Sequence, residues 1–169
     1  VNPETCAFQE HIAVLWLFGI LDRLRSIEKP IIVEIGGGHG ALAYAIKRFV
    51  PNARYLLFDI PRSLAFSTAY LTVVSPSLWE SLLIYPNHLF GEITSKLRAD
   101  LVISVGGCLS ECGPVQAAYY VAGAARMLAS NGVLLEETDD GSVRCGHDPK
   151  PLLESEFKYS ESARIEGPY

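Results

Sequence analysis

The sequence predicts an α/β domain: a doubly wound, mostly parallel sheet with helices on both faces. Three observations carry this. Short β-branched runs alternate with helical stretches from end to end. A turn with four glycines in five positions, Gly36, Gly37, Gly38 and Gly40, joins the first strand to the helix after it. An acid, Asp59, closes the second strand.

The elements follow in order. "FQEHIAVLWLFGILDRLRS", residues 8–26, reads as one helix, apolar around most of its circumference and therefore buried on several sides. Residues 1–30 are read as an N-terminal helical region and 31–169 as the sheet domain. "IIVEI" (31–35) is a buried parallel strand. "ALAYAIKRFV" is a helix stopped by Pro51, and "ARYLLFD" (53–59) a second strand. "RSLAFSTAYLTVV" is a helix ended by Pro76. "SLLIY" (81–85) and "ADLVISV" (99–105) are the third and fourth strands. "PVQAAYYVAGAARMLA" (114–129) is a helix with Pro at its start. "NGVLLEE" (131–137) is a turn and a fifth strand. "LLESEFKYSESARIEGPY" has room for one short helix and one strand.

Composition excludes several classes of function. Residues 1–133 hold ten acidic and ten basic side chains, and residues 134–169 hold nine acidic and four basic. The net charge of −5 therefore sits in the tail, no Lys/Arg cluster exists, and no nucleic-acid partner is expected. The longest apolar run, Ile12 to Leu21, falls short of the roughly 20 residues that span a bilayer. A signal-peptide cleavage site is lacking, so a soluble cytoplasmic protein is expected. Val1 in place of an initiator Met reads as a fragment or processed form. Cys108, Cys112, Cys145 and His147 lack zinc-ligand spacing, and no metal is expected. Cysteines of this kind read as small apolar fillers.

The glycine turn carries the chemistry. In a doubly wound sheet, ligands bind at the carboxyl ends of the strands, where the strand order reverses. Asp59 lies 19 residues after Gly40 and can accept hydrogen bonds from both ribose hydroxyls of a nucleoside. Gly36, Gly38 and Ala41 satisfy a dinucleotide G-x-G-x-x-A pattern, which keeps an NAD-dependent oxidoreductase as the alternative. Glu34 discriminates: a carboxylate beside a pyrophosphate is repulsive, whereas it suits a cationic cofactor. S-adenosylmethionine carries a sulfonium and an ammonium.

"EIGGGHG" (34–40) resembles the E/D-x-G-x-G-x-G loop of class I S-adenosylmethionine-dependent methyltransferases. "LLFDIP" (56–61), "ADLVIS…LSE" and "NGVLLEE" resemble stretches of the sugar O-methyltransferase family. The resemblance implies a Rossmann-like fold whose last strands are incomplete here, and S-adenosyl-L-methionine as cofactor. It also implies a small hydroxylated acceptor, a sugar among the candidates. It places Glu34, Gly36, Gly37, Gly38 and Gly40 against the methionine part, Asp59 on the ribose, Ile60 on adenine, and Asn87 or His88 as a further adenine contact. His39 becomes a wall of the cofactor pocket. Ser110 and Glu111 either contact ligand or cap the next helix, and Asp139 and Asp140 read as solvated loop acids. The proton acceptor is read as His147, with Glu111 second. At Val105, Gly106 and Gly107 the family's polar and aromatic pair is missing, which leaves a non-catalytic scaffold as a third reading. An exposed apolar patch around Trp16 and Phe18 is expected, together with a homodimer through the N-terminal helix.

Overall fold

In the computed structural model, residues 3–137 and 148–157 are described, with side chains described from Phe8 onward. The chain runs α1 (Pro3–Leu17), α2 (Ile20–Ser26), β1 (Ile31–Ile35), α3 (Ala41–Phe49), β2 (Arg54–Asp59) and α4 (Pro61–Val74). It continues with β3 (Leu82–Pro86), α5 (Phe90–Thr94), β4 (Ala99–Ser104), α6 (Cys108–Glu111), α7 (Pro114–Met127), β5 (Leu128–Glu136) and α8 (Lys150–Glu156). Short 3-10 turns at Pro76–Glu80 and Asn87–Leu89 flank β3.

The five strands form one parallel sheet in the order β3-β2-β1-β4-β5. The chain winds outward from β1 through β2 to β3. It then crosses back to β4 and β5 on the other side of β1. The reversal point therefore lies between the carboxyl ends of β1 and β4.

Strand alternation divides the core into two layers. Ile32, Tyr55, Leu57, Leu101 and Ile103 face one side, where Leu15, Leu21 and Leu24 of α1–α2 and Leu42 and Ile46 of α3 pack. Val33, Ile35, Leu56, Phe58 and Val102 face the other, against Phe90, Tyr120, Val121, Ala124 and Met127. Helices thus cover both faces, as the alternation implies. Lys47 of α3 is buried, and its ammonium donates to the carbonyls of Pro51 and Ala53 and to Ser81 Oγ, 2.6–2.8 Å away. It ties the α3–β2 connection to the start of β3.

The structure corrects two boundaries. The first helical stretch is two helices, broken at Gly19, which sits in the left-handed region (φ 68) and caps α2. Helix α7 ends at Met127 rather than Ala129, and β5 already begins at Leu128. Leu128 pairs with Ala99, and the next pairing is Val133 with Leu101, so the strand carries an irregularity where the Asn131-Gly132 turn was expected. Helix α8 supplies the helix expected after Lys150; the strand expected beyond it lies outside the described residues. Among the described residues, no helix is long and apolar enough to cross a membrane.

The end of α1 is as apolar and as exposed as expected. Trp16, Leu17 and Phe18 are 63%, 79% and 44% exposed, while Leu15 beside them is fully buried. The helix therefore buries one stripe and leaves its end bare, rather than being buried on several sides as its all-round apolar sequence implies.

Candidate functional site

The loop after β1 is shaped by close packing. Gly36, Gly38 and Gly40 all have positive φ (78, 54 and 86), a conformation that L side chains rarely adopt. Space differs among the glycines. A Cβ on Gly36 would stand 2.6 Å from Cys108 Sγ, one on Gly37 2.5 Å from Leu57, and one on Gly40 2.9 Å from Leu71. A Cβ on Gly38 would meet nothing within 4 Å. Three glycines are thus demanded by the protein's own interior. Gly38 alone of the four opens onto space where a ligand can approach the backbone.

Three of the loop's amides are committed inward. Gly36 N–H donates to the Phe58 carbonyl at 2.8 Å and Gly40 N–H to the Gly37 carbonyl at 2.9 Å. Gly38 N–H donates to Asp59 Oδ2 at 2.7 Å. A pyrophosphate cradle needs backbone N–H groups aimed at the ligand, and these three are not. Asp59 Oδ1 also accepts from Ile60 N–H at 2.6 Å. A carboxylate offers about four acceptor positions, so capacity for a diol remains. The alternative role of Asp59 as a side-chain cap of α4 does not hold: Ile60 occupies the cap position, and no side chain caps the helix.

Glu34 is buried on the face that carries α1 and accepts a hydrogen bond from Tyr55 Oη at 2.9 Å. Burial pushes its carboxyl from the ordinary 4.5 up to about 7. The Tyr55 bond opposes the rise, the charge of Asp59 adds to it, and His11 draws it down. Tyr55 is pushed well above its ordinary value, first by burial and then by Glu34.

The remaining expected residues fall around the same end of the sheet. Ile60 is half exposed beside Asp59. Asn87 follows β3, and its side chain bonds Tyr120 of α7; His88 is exposed. His39 packs between Phe8 of α1 and Tyr70 of α4, with ring centroids 5.7 and 5.3 Å away, which makes it a clamp on the loop. Glu111 is exposed at the end of α6, while Ser110 is buried and bonds back to the Gly107 carbonyl. Ser110 is therefore turned into α6 and away from a ligand. His147, Asp139, Asp140 and Cys145 lie outside the described residues. Among the described residues no group of three or more His, Cys, Asp or Glu is placed to hold a metal.

Two features escaped the sequence reading. His11 of α1 is buried with Nε2 3.1 Å from Glu137 Oε2, an ion-pair distance without hydrogen-bond alignment. The same oxygen accepts from Gly106 N–H at 2.8 Å. Helix α1 is thereby pinned across the ends of β4 and β5. Cys108 and Cys112, dismissed as fillers, bring their thiols into mutual contact beside Gly36. Their spacing of four residues was the visible signal.

Strand order, the glycine loop and the acid ending β2 together define the Rossmann-like core of a class I methyltransferase. Residues 10–103, more than half of the chain, match the family model of the O-methyltransferase domain, and the chain belongs to that family. By sequence, no curated protein matches. Among solved structures, an O-methyltransferase family protein from Burkholderia thailandensis is 17% identical (TM-score 0.55), over 79% of this chain and 42% of its own. An O-methyltransferase family 2 protein from Planctomyces limnophilus, in complex with apigenin, is 24% identical (0.50), over 63% and 31%. An amino pentose methyltransferase from Micromonospora echinaspora, bound to S-adenosylmethionine, is 19% identical (0.53), over 71% and 48%. These likenesses are of fold. The chain spans less than half the length of each of the three.

The raised Glu34 value has a consequence for stability. Between pH 4.5 and about 7 the folded state holds a proton that the unfolded chain has released. That stabilisation is complete below pH 4.5 and is lost as pH rises through about 7. The difference corresponds to about 3 kcal/mol. Glu34→Gln keeps an acceptor for Tyr55 and carries no charge. Urea denaturation should show it gaining about that amount on the wild type between pH 4.5 and 8. Parallel pH profiles for the two proteins would refute the assignment.

Proposed function

We propose that this chain is the cofactor-binding portion of an S-adenosylmethionine-dependent O-methyltransferase acting on a small hydroxylated acceptor. Family membership supports the reaction class. The single observation that carries the cofactor is the Gly38 gap, whose N–H is held by Asp59, with the buried acid Glu34 near the end of the strand that leads into the loop. Asp59 suits a nucleoside and Glu34 a cation joined to it. Inward-facing glycine amides argue against a dinucleotide pyrophosphate.

Bound there, S-adenosylmethionine would supply an electrophilic methyl on its sulfonium. In this reading Gly38 admits the methionine part against the backbone, with Gly36, Gly37 and Gly40 setting the loop's course. Asp59 holds the ribose diol while keeping its bond to Gly38 N–H. Ile60 offers an apolar surface to the adenine, and Asn87 or His88 a polar edge. The protein's part in the transfer is to align the acceptor oxygen and remove its proton. That proton acceptor is read as His147, with Glu111 second. A phenol ionises readily and a sugar hydroxyl does not. A sugar acceptor therefore demands the stronger base, and the nearby folds include proteins solved with apigenin and named for an amino pentose. The bare Trp16, Leu17 and Phe18 surface is read as the face of a homodimer, in the cytoplasm.

Thermal shift separates the readings. S-adenosylmethionine and S-adenosylhomocysteine should each stabilise the chain, by about 2.7 kcal/mol at 100 times the dissociation constant, and NAD should not. Stabilisation by NAD alone would establish the oxidoreductase instead, and no response to any of the three would leave a scaffold.

Two substitutions locate the site. Gly38→Val should abolish S-adenosylhomocysteine binding in calorimetry, because it fills the gap and strains a backbone at φ 54. Unchanged affinity would exclude this loop. Asp59→Ala should lose roughly ten- to a hundredfold in affinity, since hydrogen bonds to a charged group are worth about 1.5–3 kcal/mol. A variant that loses stability but keeps its affinity would make Asp59 a purely structural brace.

Light scattering tests the apolar face. The wild-type chain should run as a dimer, and Trp16→Glu with Phe18→Glu as a monomer. A monomeric wild type at concentrations of about 100 μM, well above the dissociation constants of ordinary specific pairs, would discard the homodimer.

A further inference from the structure

We infer that Cys108 and Cys112 form a redox-active dithiol at the reversal point of the sheet, which hydroperoxides convert to an intrachain disulfide that weakens binding of the sulfonium cofactor. The inference rests on the S-adenosylmethionine reading for its effect on binding, and on the protein's own geometry for the disulfide.

The two thiols are one helical turn apart. Cys112 N–H donates to the Cys108 carbonyl at 3.2 Å, and Cys112 is the first extended residue past α6. One turn of helix separates Cα atoms by about 6 Å, inside the range that a disulfide spans. The thiols are already in contact, with Cys108 donating its proton to the Cys112 sulfur. That bond, then burial, pushes the Cys108 thiol up, and the same bond draws the Cys112 thiol down against burial and the charges of Glu111 and Asp59. One sulfur is thus the nucleophile and the other the resolving thiol. Left-handed Gly106 and Gly107 (φ 68 and 77) precede the pair, and neither cysteine is fully enclosed.

Position gives the pair its consequence. Cys108 Sγ rests on Gly36, and both thiols feel the charge of Asp59. The cofactor's sulfur joins the ribose to the methionine chain. If the ribose sits on Asp59 and the methionine part on the loop, covalent connectivity puts the sulfonium beside this pair. Cys112 is drawn toward its thiolate, which suits a cation, whereas a disulfide cannot ionise.

The chemistry balances with a hydroperoxide as oxidant. The Cys112 thiolate attacks one peroxide oxygen, forming S–O and breaking O–O, and hydroxide or alkoxide leaves. The Cys108 sulfur then attacks the Cys112 sulfenic acid, forming S–S and breaking S–O. The Cys108 proton departs with the hydroxyl as water. Two electrons pass from the two sulfurs to the peroxide.

The test uses the whole chain and hydrogen peroxide. Trypsin releases residues 99–126 as one peptide, because no Lys or Arg lies between Arg98 and Arg126, and it contains both cysteines. After peroxide its mass should fall by two hydrogens, and dithiothreitol should restore it. Calorimetry on the same samples should show S-adenosylmethionine affinity falling about tenfold or more, because a disulfide cannot supply the negative charge that a nearby cation would draw onto Cys112. S-adenosylhomocysteine, which lacks the sulfonium, should change much less. In Cys108→Ser/Cys112→Ser, peroxide should leave both affinities unmoved. A peptide that gains oxygen or stays unchanged overturns the dithiol, whatever binds. A disulfide that forms without altering the ratio of the two affinities overturns the effect on binding. Reduced protein that binds neither compound fails the cofactor reading and that effect with it, while the mass of the peptide still decides the disulfide.

Discussion

Three of the four glycines in the loop after β1 have no room for a side chain. Cys108 closes on Gly36, Leu57 on Gly37 and Leu71 on Gly40, each at a distance where a Cβ would collide. Those contacts come from α6, β2 and α4, so the loop is the point where three elements distant in sequence meet. Overpacking such a joint costs typically 1–3 kcal/mol, and here the added atom meets sulfur or branched side chains rather than a flexible tip. With its course fixed, the loop brings Gly38 N–H to Asp59 and delivers Tyr44 N–H to the Gly40 carbonyl, which starts α3. The end of β1, the end of β2 and the start of α3 are therefore set by one packing constraint. The surface left open above Gly38 is its by-product.

The sheet and its order of elements were legible because parallel strands buried on both faces are short apolar runs with clear punctuation. Glycine loop and Asp59 were legible because both obey local rules of spacing. The first helix was misread because residues 12–21 are apolar on every side, so periodicity gave no sign of the break at Gly19. The start of β5 was misread because Asn131-Gly132 is a genuine turn signal, one that the structure absorbs as an irregularity inside a strand. Long-range pairs left no trace at all. His11 and Glu137 meet only because α1 crosses the ends of β4 and β5. The Cys108–Cys112 spacing was visible, but its place against Gly36 is tertiary.

Electrostatics at this end of the sheet has a consistent sign. Glu34, Asp59 and Glu137 converge there, with His11 as the partner of Glu137. Placing acids together is costly, and the protein limits the cost in two ways. Asp59 and Glu137 each accept hydrogen bonds from backbone N–H groups. Glu34 has Tyr55 as its donor and retains its proton up to about pH 7.

This arrangement makes the site's charge responsive to its occupant. A cation placed near Glu34 favours the ionised carboxylate, and Tyr55 already stands as donor to it, so little has to move. A neutral occupant gives Glu34 no reason to lose its proton. A pyrophosphate would raise its pKa further and would also find the amides of Gly36, Gly38 and Gly40 turned away. In the proposed reading, the same residues that make the end of β1 an unfavourable place for a charged acid favour a cationic ligand over a pyrophosphate. In that reading, a ligand that carries positive charge offsets the cost of ionising Glu34 in its buried place.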